Sequence, residues 1–466
     1  IAERLRDRFR LLVSGDRTVL PRQRTLRALI DWSYDLLDAA ERTLFARLSV
    51  FAGGCTLPAA EAVGAGDGLD PLDVLDQLSR LVEKSLVALD PAQGRYRMLE
   101  TVRAYASECL ARQGDEAATQ RRHVQQVAML AEQAWVHVGG PEQEAWLQRV
   151  DAERDNLLAV LDWCGRDAEC GATGLQMLFW LRTYWIIRGL VGLGHSLTVR
   201  ALAWPAAQGS TAARSRVLVD AGQLSLVLGR QAEALDYLQD SRRIAEALDD
   251  RRRLAAVLLP LGLVLANLQR GDDSRQVFEQ AASLADEVGN QRQLAVALNG
   301  LAQGWRAAGR LEQADAQYLR VQRIAQELED RESCAIALLN RAMVAVLRRD
   351  LPLARTLLCE VAALSAQAAS EPVLLSLFDA AAGLAAAAGH GERAAMLYGA
   401  VQARAQVAGI HRSAYDEAFL QPLVDQARRA MGADAFERAC RRGAGQPFAQ
   451  AGAELSAWLD TVPDLA

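Results

Sequence analysis

Lysine is nearly absent: among the 52 basic residues of this 466-residue chain, Lys84 is the only one. Arginine stands everywhere else, a bias that fits a GC-rich genome before it fits a chemistry. Aromatic residues are sparse at 6%. The seven cysteines are odd in number and scattered, and none forms a Cys-x-x-Cys pair, so the chain carries no pattern for a zinc knuckle or a disulfide scaffold. A reducing cytoplasm is the expected setting. Long apolar runs are missing too. The most apolar stretch, Ala255–Leu268, is too short for a bilayer, and Arg182 and Arg188 interrupt the other candidate. No membrane contact is expected, and the charged opening residues do not resemble a secretory signal. Neither sign of charge dominates: the net charge is -6, without the basic surplus of a general nucleic-acid binder.

The motifs of common chemistries are missing as well. A phosphate-binding loop needs glycines followed by Lys and Ser or Thr, whereas Lys84 sits in Leu81-Val82-Glu83-Lys84-Ser85. His-Glu-x-x-His, Gly-x-Ser-x-Gly and the calcium-loop pattern do not occur. The chain is therefore expected to have no catalytic residues, no metal site and no cofactor of its own. The five histidines (His123, His137, His195, His390, His411) lie far apart and read as surface or core residues. Gly189-x-x-Gly192-x-Gly194 has no β-α-β unit around it and reads as a turn between helices.

What is present is helical periodicity. The block Ile1–Arg24 holds seven arginines against three acids. Helices are predicted over Thr25–Leu37, Ala39–Phe51, Leu57–Val63 and Leu72–Leu81, with Gly53-Gly54 stopping the second. Leu86–Leu89 and Tyr96–Leu99, joined by Asp90-Pro91-Ala92-Gln93-Gly94, predict a hairpin, and Glu100–Leu110 returns to helix. Helices followed by a small hairpin outline a winged helix. The expected fold is all-α with one small β wing: a winged-helix-like module over 1–112, a helical connector over 113–209, tetratricopeptide-like repeats over 210–401 and capping helices over 402–466. The breaks expected in the connector are Gly139-Gly140-Pro141 and Gly171. With 51% hydrophobic and 24% charged residues, the composition suits a soluble globular chain of several domains. Because it starts at Ile1, inside an apparent helix, it is expected to be a piece of something longer.

The repeats are marked by a step of 40. Ala234, Ser274, Ala314, Ala354 and Ala394 are always small; Leu238, Phe278, Tyr318, Leu358 and Tyr398 are always large. Leu218, Leu258, Leu298, Leu338 and Phe378 keep the step, as do Gly222, Gly262, Ala302, Ala342 and Ala382. A small residue where two helices cross and a large one in the adjacent gap is what stacked helical hairpins require. Gly229, Gly271 and Gly309 are expected in the turns within the pairs.

Two surfaces are candidates for function. The helix of the winged module that would enter a DNA groove, Asp70–Ser85, carries Asp70, Asp73, Asp76 and Glu83 against Arg80 and Lys84, the wrong balance for a groove lined by phosphates. A packing or switch role is expected there instead. In the repeats, Asn299, Gln303 and Arg306 share one side of a helix, while Leu259, Leu263 and Ala266 precede them and Leu339, Met343 and Val346 follow at the step of 40. A groove polar in one repeat and apolar in its neighbours suits a peptide or amphipathic helix; the plainer reading makes the apolar positions inter-repeat core.

Several runs resemble a known family. Pro21-Arg22-Gln23-Arg24-Thr25-Leu26-Arg27, Asp31-Trp32-Ser33-Tyr34-Asp35-Leu36-Leu37, Leu44–Gly54, Leu81–Leu86 and Tyr96–Ala106 resemble the winged-helix region of bacterial STAND-type regulators, ATPases related to the NB-ARC switch proteins. Gly399-Ala400-Val401-Gln402 and Gly432-Ala433-Asp434-Ala435-Phe436 look like their closing region. The resemblance implies an upstream domain holding ATP or ADP with magnesium, a solenoid sensing a protein or small-molecule inducer, ligand-dependent oligomers, and DNA contact only through a domain outside this chain. Met98, Leu99 and Glu100 stand at the positions of the relatives' Met-His-Asp motif; Leu99 departs from it, and Glu100, which keeps the carboxylate, is the candidate nucleotide-sensing residue. Other expectations are a repeat-built adaptor without a nucleotide switch, or the regulatory arm of a nucleotide cyclase.

Overall fold

The computed structural model describes residues 21–66, 68–138, 140, 142–368, 370–408 and 412–461. Most of Ile1–Arg24, His411, Gly139 and Pro141 lie outside the described residues. Two compact units emerge, one holding residues up to Leu190 with Leu197–Gln208, the other Val191–Ser196 with the chain from Gly209 onward. Among the described residues the secondary structure is helical apart from one small sheet.

The first unit opens with α1 (Pro21–Asp35), α2 (Ala39–Arg47), β1 (Cys55–Thr56), α3 (Leu57–Gly64), α4 (Val74–Glu83), β2 (Ala88–Asp90), β3 (Arg95–Arg97) and α5 (Glu100–Gln113). Asp38 starts α2 with a capping box, its carboxylate accepting from the Glu41 amide while Glu41 accepts from the Asp38 amide, each at 2.8 Å. The chain tightens into a 3-10 turn over Leu48–Val50, so the helix expected to reach Phe51 stops at Arg47. The strands pair antiparallel in the order β1-β3-β2, with Tyr96 opposite both Cys55 and Leu89. The sequence predicts only the hairpin, because a two-residue strand is too short to show an alternation. Leu44, Phe45, Val63, Val74, Leu78 and Leu81 are fully buried beneath this winged helix, each contributing about 1.5–3 kcal/mol if of leucine size.

The same unit continues with α6 (Glu116–His137), α7 (Gln143–Ala152), α8 (Arg154–Cys164) and α9 (Gly171–Ile187), and the division between the units falls within α10 (Val191–Ala201), after Ser196. Gly189 alone of its glycine trio sits in a turn, with φ of 67°; Gly192 and Gly194 are inside α10. The Gly53-Gly54 turn does more than end a helix. Asn156 on α8 accepts from the Gly53 amide at 3.2 Å and donates to the Gly54 carbonyl at 2.9 Å. The buried Arg95 guanidinium donates to the same carbonyl at 2.9 Å and pairs with Glu153. A Cβ at Gly54 would lie 2.5 Å from the Tyr96 carbonyl oxygen, so the wing is built against a residue without a side chain.

The second unit stacks five helical pairs: α11 (Ala212–Val227) with α12 (Gln231–Ala247), α13 (Arg251–Asn267) with α14 (Gly271–Glu287), α15 (Gln291–Ala307) with α16 (Leu311–Glu327), α17 (Arg331–Leu347) with α18 (Leu351–Ala368), and α19 (Glu371–Ala387) with α20 (Gly391–Ala408). The small and large rows meet at the crossings. A Cβ at Gly222 would come within 2.7 Å of Leu238, and one at Gly262 within 2.7 Å of Phe278. Helix ends recur every 20 residues. Gly229, Asp249, Gln269, Gly289, Gly309, Glu329, Arg349 and Gly389 all take positive φ, and the following amide reaches back five residues, as Arg230 does to the Ser225 carbonyl at 2.9 Å. This is the Schellman ending, which satisfies the last carbonyls of a helix. Gly271 is not a turn residue: it begins α14, and Gln269 takes the left-handed position. The tail folds as α21 (Ala414–Met431), α22 (Ala433–Ala444) and α23 (Phe448–Thr461). Gly399 and Gly443 let α20 and α22 touch backbone to backbone; a Cβ at Gly399 would fall 2.1 Å from the Cys440 carbonyl oxygen.

Candidate ligand-binding face of the repeats

In the winged helix, Glu100 is the first residue of α5 and is exposed, its carboxylate taken by Arg103 at 2.7 and 3.1 Å. Leu99 beside it is an exposed apolar side chain. The Glu100 carboxylate is thus paired within its own helix, next to a leucine. On α4 the exposed positions include Asp76, Arg80 and Glu83, with Leu75 on the helix and Leu72 in the turn before it also exposed. Arg80 on the helix and Lys84 at its C-cap are already engaged: Lys84 with both oxygens of Glu41 at 2.6 Å, and Arg80 with Asp38 at 3.3 Å. That leaves the carboxylates as the charge it presents.

The first helices of successive pairs build one face of the second unit, and α21 lies against it, meeting α13, α15 and α19. Arg306, on α15, is buried there. Its Nη2 donates to Asp416 Oδ1 at 2.9 Å, its Nη1 approaches the Met343 sulfur at 2.7 Å, and the guanidinium stands 5.6 Å from the Phe419 ring. Burial opposes its charge, but Tyr318 and Asp416 alongside hold its pKa above the ordinary value. Burial pushes the Tyr318 phenol up. Two turns earlier, Asn299 accepts from Asn340 Nδ2 at 3.0 Å, and Gln303, one turn before Arg306, is half-buried. Of the neighbouring apolar positions, Leu339, Met343 and Val346 are buried in the core, Leu259 is half-buried, and Leu263 remains 41% exposed. The apolar positions of the fourth pair are therefore core, within the large apolar cluster that α17 shares with α18 and α19.

The residues that α21 contributes have no counterpart in the repeat pattern. Ser413 caps the helix, accepting from the Asp416 amide at 3.1 Å and donating to its carboxylate at 2.8 Å. The Tyr415 hydroxyl lies 3.2 Å from Ser274 Oγ. Arg412 makes a bidentate pair with Asp379 at 2.7 and 2.8 Å, and burial raises the Asp379 carboxyl more than Arg412 lowers it. The Tyr415–Ser274 and Arg412–Asp379 partners are 141 and 33 residues apart in sequence, beyond any local signal. A trace was visible nonetheless: Ser274 is the one hydroxyl in a row of alanines, and Arg306 stands where other pairs have Ala266 and Val346. Among the described residues no cluster of His, Cys, Asp or Glu could hold a metal ion, and no helix is long and apolar enough to cross a membrane.

Residues 37–111 match the family model described as a winged helix-turn-helix domain. A Mycobacterium tuberculosis protein that carries the provisional name HTH-type transcriptional regulator is 35% identical over 339 residues, 69% of this chain and 36% of its own length. A Mycobacterium bovis relative of the same provisional name matches equally. The chain thus spans about a third of the length of these curated relatives. Among solved structures, a Rap protein complexed with competence and sporulation factor is similar in fold, with a TM-score of 0.52 at 11% identity, covering 82% of this chain and 98% of that one. A STAND protein with a tetratricopeptide repeat sensor from Pyrococcus horikoshii covers 96% of this chain and 68% of its own, at 14% identity and a TM-score of 0.46.

Proposed function

We propose that this chain is the sensor and regulatory segment of a longer transcriptional regulator of the signal-transduction ATPase type, with no catalysis of its own. The observation that carries the reading is the 35% identity over 339 residues to provisionally named transcriptional regulators far longer than this chain. In this reading the helical pairs receive a protein or small-molecule inducer on the face that holds Arg306, and the winged helix serves as a switch element. The carboxylates on α4 favour that role over phosphate contact, since each would face the DNA backbone with like charge. ATP or ADP with magnesium belongs to an upstream domain, and DNA to a domain outside the chain. An adaptor without a switch remains the second reading, but no contact in the structure favours it.

The test is calorimetric titration of the chain with magnesium ATP, alongside a phosphate-release assay. The expected outcome is neither heat at micromolar ATP nor turnover. Binding at micromolar ATP overturns the proposal.

A further inference from the structure

The departures from the 40-residue pattern converge on one place. Ser274 is the hydroxyl in the small row, Gly304 replaces the Val264 and Val344 of the adjoining pairs, and Arg306 replaces Ala266 and Val346. All three meet the first turn of α21. Ser274 holds the Tyr415 hydroxyl at 3.2 Å, Gly304 leaves the Tyr415 oxygen within 3.5 Å of where its Cβ would stand, and Arg306 pairs with Asp416 at 2.9 Å. A Cβ at 304 would stand in van der Waals contact with that hydroxyl. These three residues thus form a complementary recess for an aromatic hydroxyl beside a carboxylate.

The recess is costly unless filled. Arg306 is 3% exposed and finds one carboxylate, and removing that carboxylate leaves a buried charge unpaired. Beyond its first turn α21 is anchored differently, through the buried Phe419, Leu420 and Val424. The first turn is held by polar contacts that another acidic group can replace, while the rest of the helix stays seated on apolar packing. Beyond the recess the face continues to Leu259 and the exposed Leu263 on α13, so an incoming segment has apolar surface next to the charged anchor.

Resting on the reading of this face as the ligand-receiving one, we propose that the recess of Ser274, Gly304 and Arg306 recognises a peptide segment that pairs an aromatic side chain with an adjacent carboxylate. Tyr415 and Asp416 occupy it from within the chain and compete with that segment. Recognition then requires displacing the first turn of α21 from Arg306.

The probe is a labelled hexapeptide with the sequence of residues 413–418, titrated by fluorescence anisotropy against the full chain. The Tyr415→Phe/Asp416→Asn variant keeps the shape of the turn but weakens its hold. It is expected to bind the probe at least tenfold more tightly than the unaltered chain, and adding Arg306→Met is expected to abolish that gain. Circular dichroism checks that each variant is folded. Equal binding by variant and unaltered chain, or a gain that survives Arg306→Met, overturns the proposal. Should the triple variant unfold, a probe with Asp replaced by Asn supplies the same test, since it must lose the gain on the double variant. The probe contains no nucleotide, so failure here leaves the ATP result standing on its own.

Discussion

His123 on α6 shows how a residue's role follows from its surroundings. It is fully buried, its ring is 4.7 Å from the Phe51 ring, and neither ring nitrogen has a hydrogen-bond partner among the described residues. Burial pushes its pKa down to about 3, so the ring is neutral in the fold at neutral pH. The folded value lies below the ordinary one near 6.5. The stability that goes with the neutral ring is therefore complete above about pH 6.5 and is lost as the pH falls toward 3. His195 is lowered by burial as well and adds the same sign. Melting temperatures of the chain and of His123→Leu, measured from pH 7.5 to 4.5, should diverge on the acid side, the variant falling less steeply. Parallel curves would show that His123 is not what titrates.

At the scale of the element, the unit of design is a 17-residue helix closed by a left-handed residue every 20 positions. Where that residue is Gly the ending is unstrained; at Asp249, Gln269, Glu329 and Arg349 the backbone accepts a conformation that costs L-residues about 1–2 kcal/mol. The small row is less forgiving. Ala314 is fully buried where α16 crosses its partner, next to the fully buried Tyr318. Ala314→Leu should overpack that crossing and destabilise the chain by about 1–3 kcal/mol in urea unfolding. A change near zero would mean that the crossing lies elsewhere.

At the scale of the molecule, the two units have separate cores, and domains with separate cores need not unfold together. Seven of the nine tryptophans (Trp32, Trp135, Trp146, Trp163, Trp180, Trp185, Trp204) belong to the first unit, whereas the helical pairs belong to the second. Tryptophan fluorescence and far-UV circular dichroism should therefore report different urea midpoints. Coincident transitions would indicate a single cooperative fold.

The sequence by itself determined the all-helical class, the hairpin of the wing and the 40-residue pairs, because those depend on periodicity and spacing that every residue in a helix face must obey. It also exposed the carboxylate surplus on α4, since charge needs no coordinates. It did not reveal β1, the binding of Gly53-Gly54 by Asn156 and Arg95, or the union of Arg306 with Asp416 across 110 residues. Those belong to tertiary structure: a strand of two residues forms only beside its neighbour, and a buried charge finds its partner only once distant helices have packed. Asn299, Gln303 and Arg306 were legible as a polar face of a helix, but that α21 covers part of that face followed only from where the tail comes to rest.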